Sequence, residues 1–294
     1  NIQYYVSASM YNETGQLTRD ESQSFDSSLR YTRFNVNSNI NMKITKTTNL
    51  KMNVKVMVGD SNKPKNGSSA PFSDAMNMPP IQMPVRYPGG EIPWISTGGG
   101  LQNPWAELTQ VGYDSDVQSK VMADMTINQK LDFLIKGLSF KALFAYDTYN
   151  RSWLKREKKY DTYWATGRDE NGELILEQTN QNGSASPYLT TSGGSTSNER
   201  KYYFEAALNY DQTFNKKHHV TGMLMFNLSD KVDLLASNLV SSLPYRSEGL
   251  AGRFTYGYND RYMAEFNFGY NGSENFNPDK RFGFFPSVGA AWVI

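Results

Sequence analysis

The stretch Phe34-Asn35-Val36-Asn37-Ser38-Asn39-Ile40-Asn41-Met42-Lys43-Ile44 alternates residue by residue between two characters. Phe34, Val36, Ile40, Met42 and Ile44, with Ser38 among them, take one set of positions; Asn35, Asn37, Asn39, Asn41 and Lys43 take the other. Successive side chains of an extended chain point to opposite faces, so this stretch predicts a strand with one apolar and one wet face. Working outward, the same alternation predicts strands at roughly 2–11, 33–45, 48–59, 116–133, 138–153, 198–214, 218–231, 247–258, 262–273 and 281–294. Ile2, Tyr4, Val6, Ala8 and Met10 mark the first apolar face, and Leu50, Met52, Val54, Val56 and Val58 the third.

The connections sort into two lengths. Tight turns at Lys46-Thr47, Gly137, Asn215-Lys216-Lys217 and Asn259-Asp260 use residues suited to hairpins. Between them fall long segments, 12–32, 60–115, 154–197, 232–246 and 274–280. Strict short/long alternation between half-apolar strands is the signature of a membrane barrel, with turns on the periplasmic side and loops outside. The expected fold class is therefore all-β, a transmembrane antiparallel up-and-down β-barrel. Residues 64–105 hold most of the prolines with Trp94, Trp105 and Gly98-Gly99-Gly100. The Gly/Ser/Thr-rich run 182–198 reads as mobile, and Asp169-Glu170-Asn171-Gly172 predicts a small hairpin within 154–181.

Bulk properties agree. Thirty basic against 29 acidic residues leave no surplus that would suggest nucleic acid. Mean hydropathy is −0.61. No stretch approaches the roughly 18 apolar residues of a membrane helix, but barrel strands give lipid only every second residue. Nineteen Tyr suit a membrane–water boundary, where the ring is apolar and the hydroxyl wet. The absence of cysteine removes disulfides and thiolate metal sites. Asn1-Ile2-Gln3-Tyr4-Tyr5-Val6 is not a signal peptide and reads as mid-strand, as does Ala290-Ala291-Trp292-Val293-Ile294. We therefore expect 1–294 to be a partial barrel domain of a longer protein. Open sheet edges in lipid would leave backbone groups unpaired, which supports the same expectation.

No catalytic constellation emerges. His218 and His219, the only histidines, adjoin a predicted turn and face opposite ways, so neither a metal pair nor a catalytic triad is expected. No phosphate-cradling loop occurs. Asp169-Glu170-Asn171-Gly172-Glu173 lacks the spaced ligands of a calcium loop. Asn66-Gly67-Ser68, Asn182-Gly183-Ser184 and Asn271-Gly272-Ser273 match the glycosylation pattern but read as turns. We expect no catalytic residues, no metal and no cofactor. The candidate ligand-binding residues are loop aromatics: Trp94, Trp105, Tyr113, Trp153 and Trp164, with Tyr163 beside the last. Such rings stack on sugars or anchor peptide side chains; the competing reading is loop packing or a membrane girdle. The basic run Lys155, Arg156, Lys158 and Lys159 reads as a solvated face or a contact to lipopolysaccharide phosphates.

Three segments carry a family resemblance. Asp260-Arg261-Tyr262-Met263-Ala264-Glu265-Phe266-Asn267 leads into Gly269-Tyr270-Asn271-Gly272-Ser273-Glu274-Asn275-Phe276, then Arg281-Phe282-Gly283-Phe284-Phe285-Pro286-Ser287-Val288 and Gly289-Ala290-Ala291-Trp292. Tyr4-Tyr5-Val6-Ser7 with Arg33-Phe34-Asn35 and Ile44-Thr45-Lys46 is a second, and Asn103-Pro104-Trp105 with Lys136-Gly137-Leu138-Ser139-Phe140-Lys141 a third. Together they resemble the SusC-like (SusC/RagA) TonB-dependent outer-membrane transporters of Bacteroidetes. The resemblance implies a barrel of about 22 strands around an N-terminal plug, with neither the plug nor the outermost strands within this sequence. It implies energy from the TonB complex, a SusD-like surface lipoprotein as lid, and oligosaccharide or peptide cargo imported across the outer membrane. Asn35, Asn37, Asn39 and Asn41 would then line the lumen or meet the plug. The alternative is a complete ten-stranded outer-membrane barrel acting as a hydrolase or adhesin.

Overall fold

A computed structural model describes residues 1–79, 81, 83–94, 102–179 and 185–294. The Gly98–Gly100 run and Asn182-Gly183-Ser184 lie outside the described residues. In chain order the elements are β1 (Ile2–Thr14), β2 (Arg30–Lys43), β3 (Thr48–Pro64), α1 (Ser69–Asn77), β4 (Ile92–Pro93), α2 (Pro104–Thr109), β5 (Gly112–Lys130), β6 (Leu138–Glu157), β7 (Thr162–Arg168), β8 (Leu174–Gln178), β9 (Thr190–Phe214), β10 (His218–Asp233), α3 (Leu239–Ser242), β11 (Tyr245–Tyr258), β12 (Tyr262–Ser273) and β13 (Phe282–Trp292). The ten long strands form one antiparallel sheet in the order β1-β2-β3-β5-β6-β9-β10-β11-β12-β13. Each neighbours the next long strand in sequence, the up-and-down topology that the hairpin pattern predicts. β1 and β13 are the two edges of this sheet, and among the described residues nothing pairs one with the other. That corrects the alternative reading of a closed ten-stranded barrel.

Register explains why the alternation matters. Met10 lies opposite Phe34, Phe34 opposite Val58, and Val56 opposite Val121. Phe144 faces Phe204, Leu208 faces Leu224, and Phe254 faces Phe266, which faces Val288. Since directly paired residues share a face, the apolar sets of all ten strands merge into one continuous apolar surface. Its side chains remain open, with Phe34 49%, Leu224 43% and Phe254 51% exposed. A soluble protein does not leave such a surface uncovered.

The other face is polar and tied across strands. Asn35 Nδ2 donates to Ser9 Oγ at 3.2 Å, and Asn53 Nδ2 to Asp124 Oδ2 at 2.7 Å. Gln118 Nε2 donates to the Tyr31 hydroxyl, and the Tyr149 hydroxyl to Gln118 Oε1.

All short connections lie at one end of the sheet and all long ones at the other. At Asn215-Lys216 and Asn259-Asp260, all four residues have positive φ, from 49° to 59°, and the turns close with backbone bonds Lys217 N to Phe214 O and Arg261 N to Tyr258 O. This is the type I′ geometry whose twist matches a hairpin. Several strands run past their predicted ends. β9 is 25 residues long and absorbs Thr190–Ser197 of the run expected to be mobile, pairing it with the top of β6. The hairpin predicted at Asp169–Gly172 is β7–β8, joined by β4 in a three-stranded sheet.

Candidate functional site

At the long-loop end the connections fold into a cap centred on α2. Asn103 and Pro104 start this helix: Asn103 Oδ1 accepts from the amides of Trp105 and Ala106 at 3.1 and 3.2 Å, and Pro104 presets the first turn. Asn103 Nδ2 donates to Val85 O at 3.0 Å, fixing the preceding loop to the same cap. Ala106 is fully buried and packs with Ile92, Val111 and Tyr160, against which Trp105 lies. The 15–29 connection straps this core. Its Ser27 Oγ donates to Leu108 O at 2.5 Å, and Phe25 stacks on Tyr113 with centroids 6.1 Å apart. Asp20, Gln23 and Gln110 form a chain of side-chain bonds at 2.7 Å that ends on Lys158 Nζ.

Two cavities flank α2. One, of about 440 Å³, is lined by Glu107, Tyr160, Lys65, Asn66 and Lys159 among others. Glu107 is 5% exposed, and burial pushes its carboxyl above the usual range, against the pull of the Asn66 amide that donates to it. Burial likewise pushes the Tyr160 phenol up, and Glu107 adds to that shift. A buried carboxyl beside a phenol, with Lys159 on the rim, can hold a polar guest by hydrogen bonds in both directions. The second cavity, about 410 Å³, is apolar, with Phe72, Met78, Met83, Val85, Trp105 and Leu108 in its wall.

The structure gathers some of the predicted aromatics and separates others. Trp105 lines the second, apolar cavity, its ring 4.8 Å under the Arg86 guanidinium. The Trp94 amide donates to Tyr163 O at 3.0 Å, and its buried indole N–H has no partner among the described residues. Tyr113 belongs to the cap, where its hydroxyl accepts from Arg156. Trp153 lies on the polar face of β6 opposite Asp116, its ring over Gly194. Trp164 sits half-buried on β7 opposite Glu177.

The basic run is not simply a solvated face. Arg156 is spent on Tyr113, Lys158 lies 5.5 Å over Phe25, and Lys159 alone of those two lysines is exposed. Glu107, Tyr160 and the helices α1 and α2 went unpredicted; Asn103-Pro104 was the one legible signal, a helix start.

His218 and His219 do face opposite ways, meeting Tyr256 and Asp211 respectively. The Asp169 carboxylate is occupied by the turn amides of Asn171 and Glu173. Among the described residues no group of acidic or imidazole side chains could hold a metal ion, and no helix is long and apolar enough to cross a membrane.

No family model and no curated protein matches the sequence. Among solved structures, the RagAB peptide transporter matches 98% of this chain at 14% identity with a TM-score of 0.62. At this identity the likeness shows the fold alone, a segment of an antiparallel β-barrel. The RagAB peptide importer in its open-open state matches equally well, at 15% identity and a TM-score of 0.61. The chain spans 32% of the length of either structure, so the likeness concerns part of the wall and its loops.

Proposed function

We propose that this chain is part of the wall and outer mouth of a SusC-like, TonB-dependent importer in the bacterial outer membrane. The observation that carries the reading is the single apolar face unbroken across ten strands, with every long connection gathered at one end. Such a sheet is built to stand in lipid with its loops on the cell surface. The RagAB likeness supports transport as the purpose of that wall. In this reading the protein makes and breaks no bond. Residues 1–294 are a partial barrel domain, the plug and remaining strands belong to the rest of the protein, and the TonB complex supplies the energy. A SusD-like lipoprotein closes over the cap as a lid.

The cargo is an oligosaccharide or peptide met first by the cap. Trp105 and Trp94 offer aromatic faces, Glu107 and Tyr160 polar groups, and Tyr113, Trp153 and Trp164 extend the contact toward the wall. The test is uptake by cells carrying the full-length protein with Trp105→Ala and Glu107→Ala together, using labelled peptides and oligosaccharides. Loss of uptake of one class, at unchanged protein level in the outer membrane, supports the reading and names the cargo. Unchanged uptake of both classes sinks the cap as the entry site, and uptake that persists without TonB sinks the importer.

A further inference from the structure

The short connections 44–47, 215–217 and 259–261 are built largely from Thr, Lys, Asn, Asp and Arg. The connection 131–137 is not. Its Phe133, Leu134 and Ile135 stand 72%, 66% and 55% exposed, three adjacent apolar side chains at the tip of a hairpin. They are displayed by a closed turn rather than left on a slack loop. Leu134 N and Ile135 N both donate to Leu131 O, at 2.8 and 3.1 Å. Asp132 Oδ1 caps Gly137 N at 2.9 Å. Gly137 has φ +87°, and a Cβ there would run into the Asp211 carbonyl of the next strand. The turn is thus shaped to hold its tip outward.

The tip also continues an apolar surface already described. Leu131 N bonds to Leu138 O at the base of the turn, and Leu138 shares its face with Tyr210, Phe140 and Leu208. At this end the same face carries a row of rings: His218 and Tyr258 with centroids 5.1 Å apart, Tyr258 and Tyr262 at 6.5 Å, Tyr262 and Trp292 at 6.2 Å. Such rows mark the membrane–water boundary of a barrel. Lys130 and Lys136 flank the tip and are exposed, in reach of lipid phosphates.

We infer that the 131–137 turn is a membrane anchor, inserting Phe133, Leu134 and Ile135 into the headgroup–acyl boundary of the phospholipid leaflet at the short-turn end. It would fix the height of the β5–β6 hairpin in the bilayer at a point where the other hairpins end in water. This rests on the barrel standing in a membrane, not on its cargo.

The test uses the full-length protein in bilayers of phosphatidylethanolamine and phosphatidylglycerol. A nitroxide is attached at Leu134→Cys or, as the comparison, at Lys216→Cys, each as the only cysteine. Accessibility to oxygen and to a water-soluble nickel chelate is then read by electron paramagnetic resonance. The expected result is an oxygen-to-chelate ratio several-fold higher at 134 than at 216. Equal ratios would place the tip in water and overturn the anchor. A label at 134 shielded from both reagents would mean a protein surface covers it, and would overturn the anchor equally. Uptake by the labelled protein, measured alongside, reports separately on transport.

Discussion

Two glycines on the apolar face show how much is decided by single atoms. Phe268 lies over Gly252, its direct partner in register, so closely that a Cβ at Gly252 would occupy the ring's place. Phe282 does the same at Gly272. An aromatic ring covering a strand glycine restores the packing that the glycine lacks. Gly222 differs, because a Cβ there would meet the Phe254 ring at an ordinary 3.6 Å. Gly252→Ala should cost about 1–3 kcal/mol by driving the ring off its site, and Gly222→Ala no more than about 0.5 kcal/mol. Denaturant midpoints of the two variants check this, and equal midpoints would remove the distinction.

Glu107 gives a pH dependence at the same scale. Its raised pKa means that the folded cap keeps the proton to higher pH than the unfolded chain does. Stability contributed by the neutral form is therefore present at low pH and declines as pH rises between the unfolded and folded pKa values. Glu107→Gln should abolish that decline in the hydrogen-exchange protection of α2. Identical pH profiles in both proteins would show that Glu107 does not titrate there.

Among elements, the strap 15–29 depends on Asn62. This side chain, 8% exposed at the top of β3, donates from Nδ2 to Asp26 O at 3.0 Å and Ser28 O at 2.9 Å. Asn62→Ala leaves both carbonyls without that donor, at about 1–3 kcal/mol. The strap should open locally while the sheet stays intact, because β1–β2 and β2–β3 pairing does not involve the side chain. Proteolysis within 15–29 should accelerate, with barrel mobility on semi-native gels unchanged. An unaltered cleavage rate would mean that Ser27, Phe25 and Gln23 hold the strap without Asn62. Upper strand segments were the hardest elements to read for a related reason. Thr190–Ser197 is polar on both faces, so no alternation marks it, and only pairing with Arg151–Glu157 makes it a strand.

For the whole molecule, the decisive claim is which face meets lipid. Leu224 and Met223 are neighbours on β10 and project to opposite faces; Leu224 sits among Leu208 and Gly252 on the apolar one, and Met223 opposite Asn209 and Arg253 on the other. An arginine on the lipid face near mid-membrane costs about 2–4 kcal/mol, whereas lumen positions tolerate charge. Leu224→Arg should therefore impair assembly into the outer membrane, measured as the folded fraction, and Met223→Arg should not. Equal impairment would argue against a lumen on the polar side.

The sequence alone determined the strands, their order and the two characters of the sheet. Alternation and turn chemistry are local, and in an up-and-down sheet each strand pairs with its neighbour in sequence, so local signals suffice. It also singled out the cap's aromatics, because tryptophan in a loop is conspicuous wherever it ends up. It could not assemble the cap. Glu107 is buried only because Asn66, Tyr160 and the strap close around it from segments far apart in the chain, and Trp153 leaves the group only because its strand reaches that high. No periodicity records those meetings, since they depend on how irregular segments pack against one another rather than on any residue's immediate neighbours.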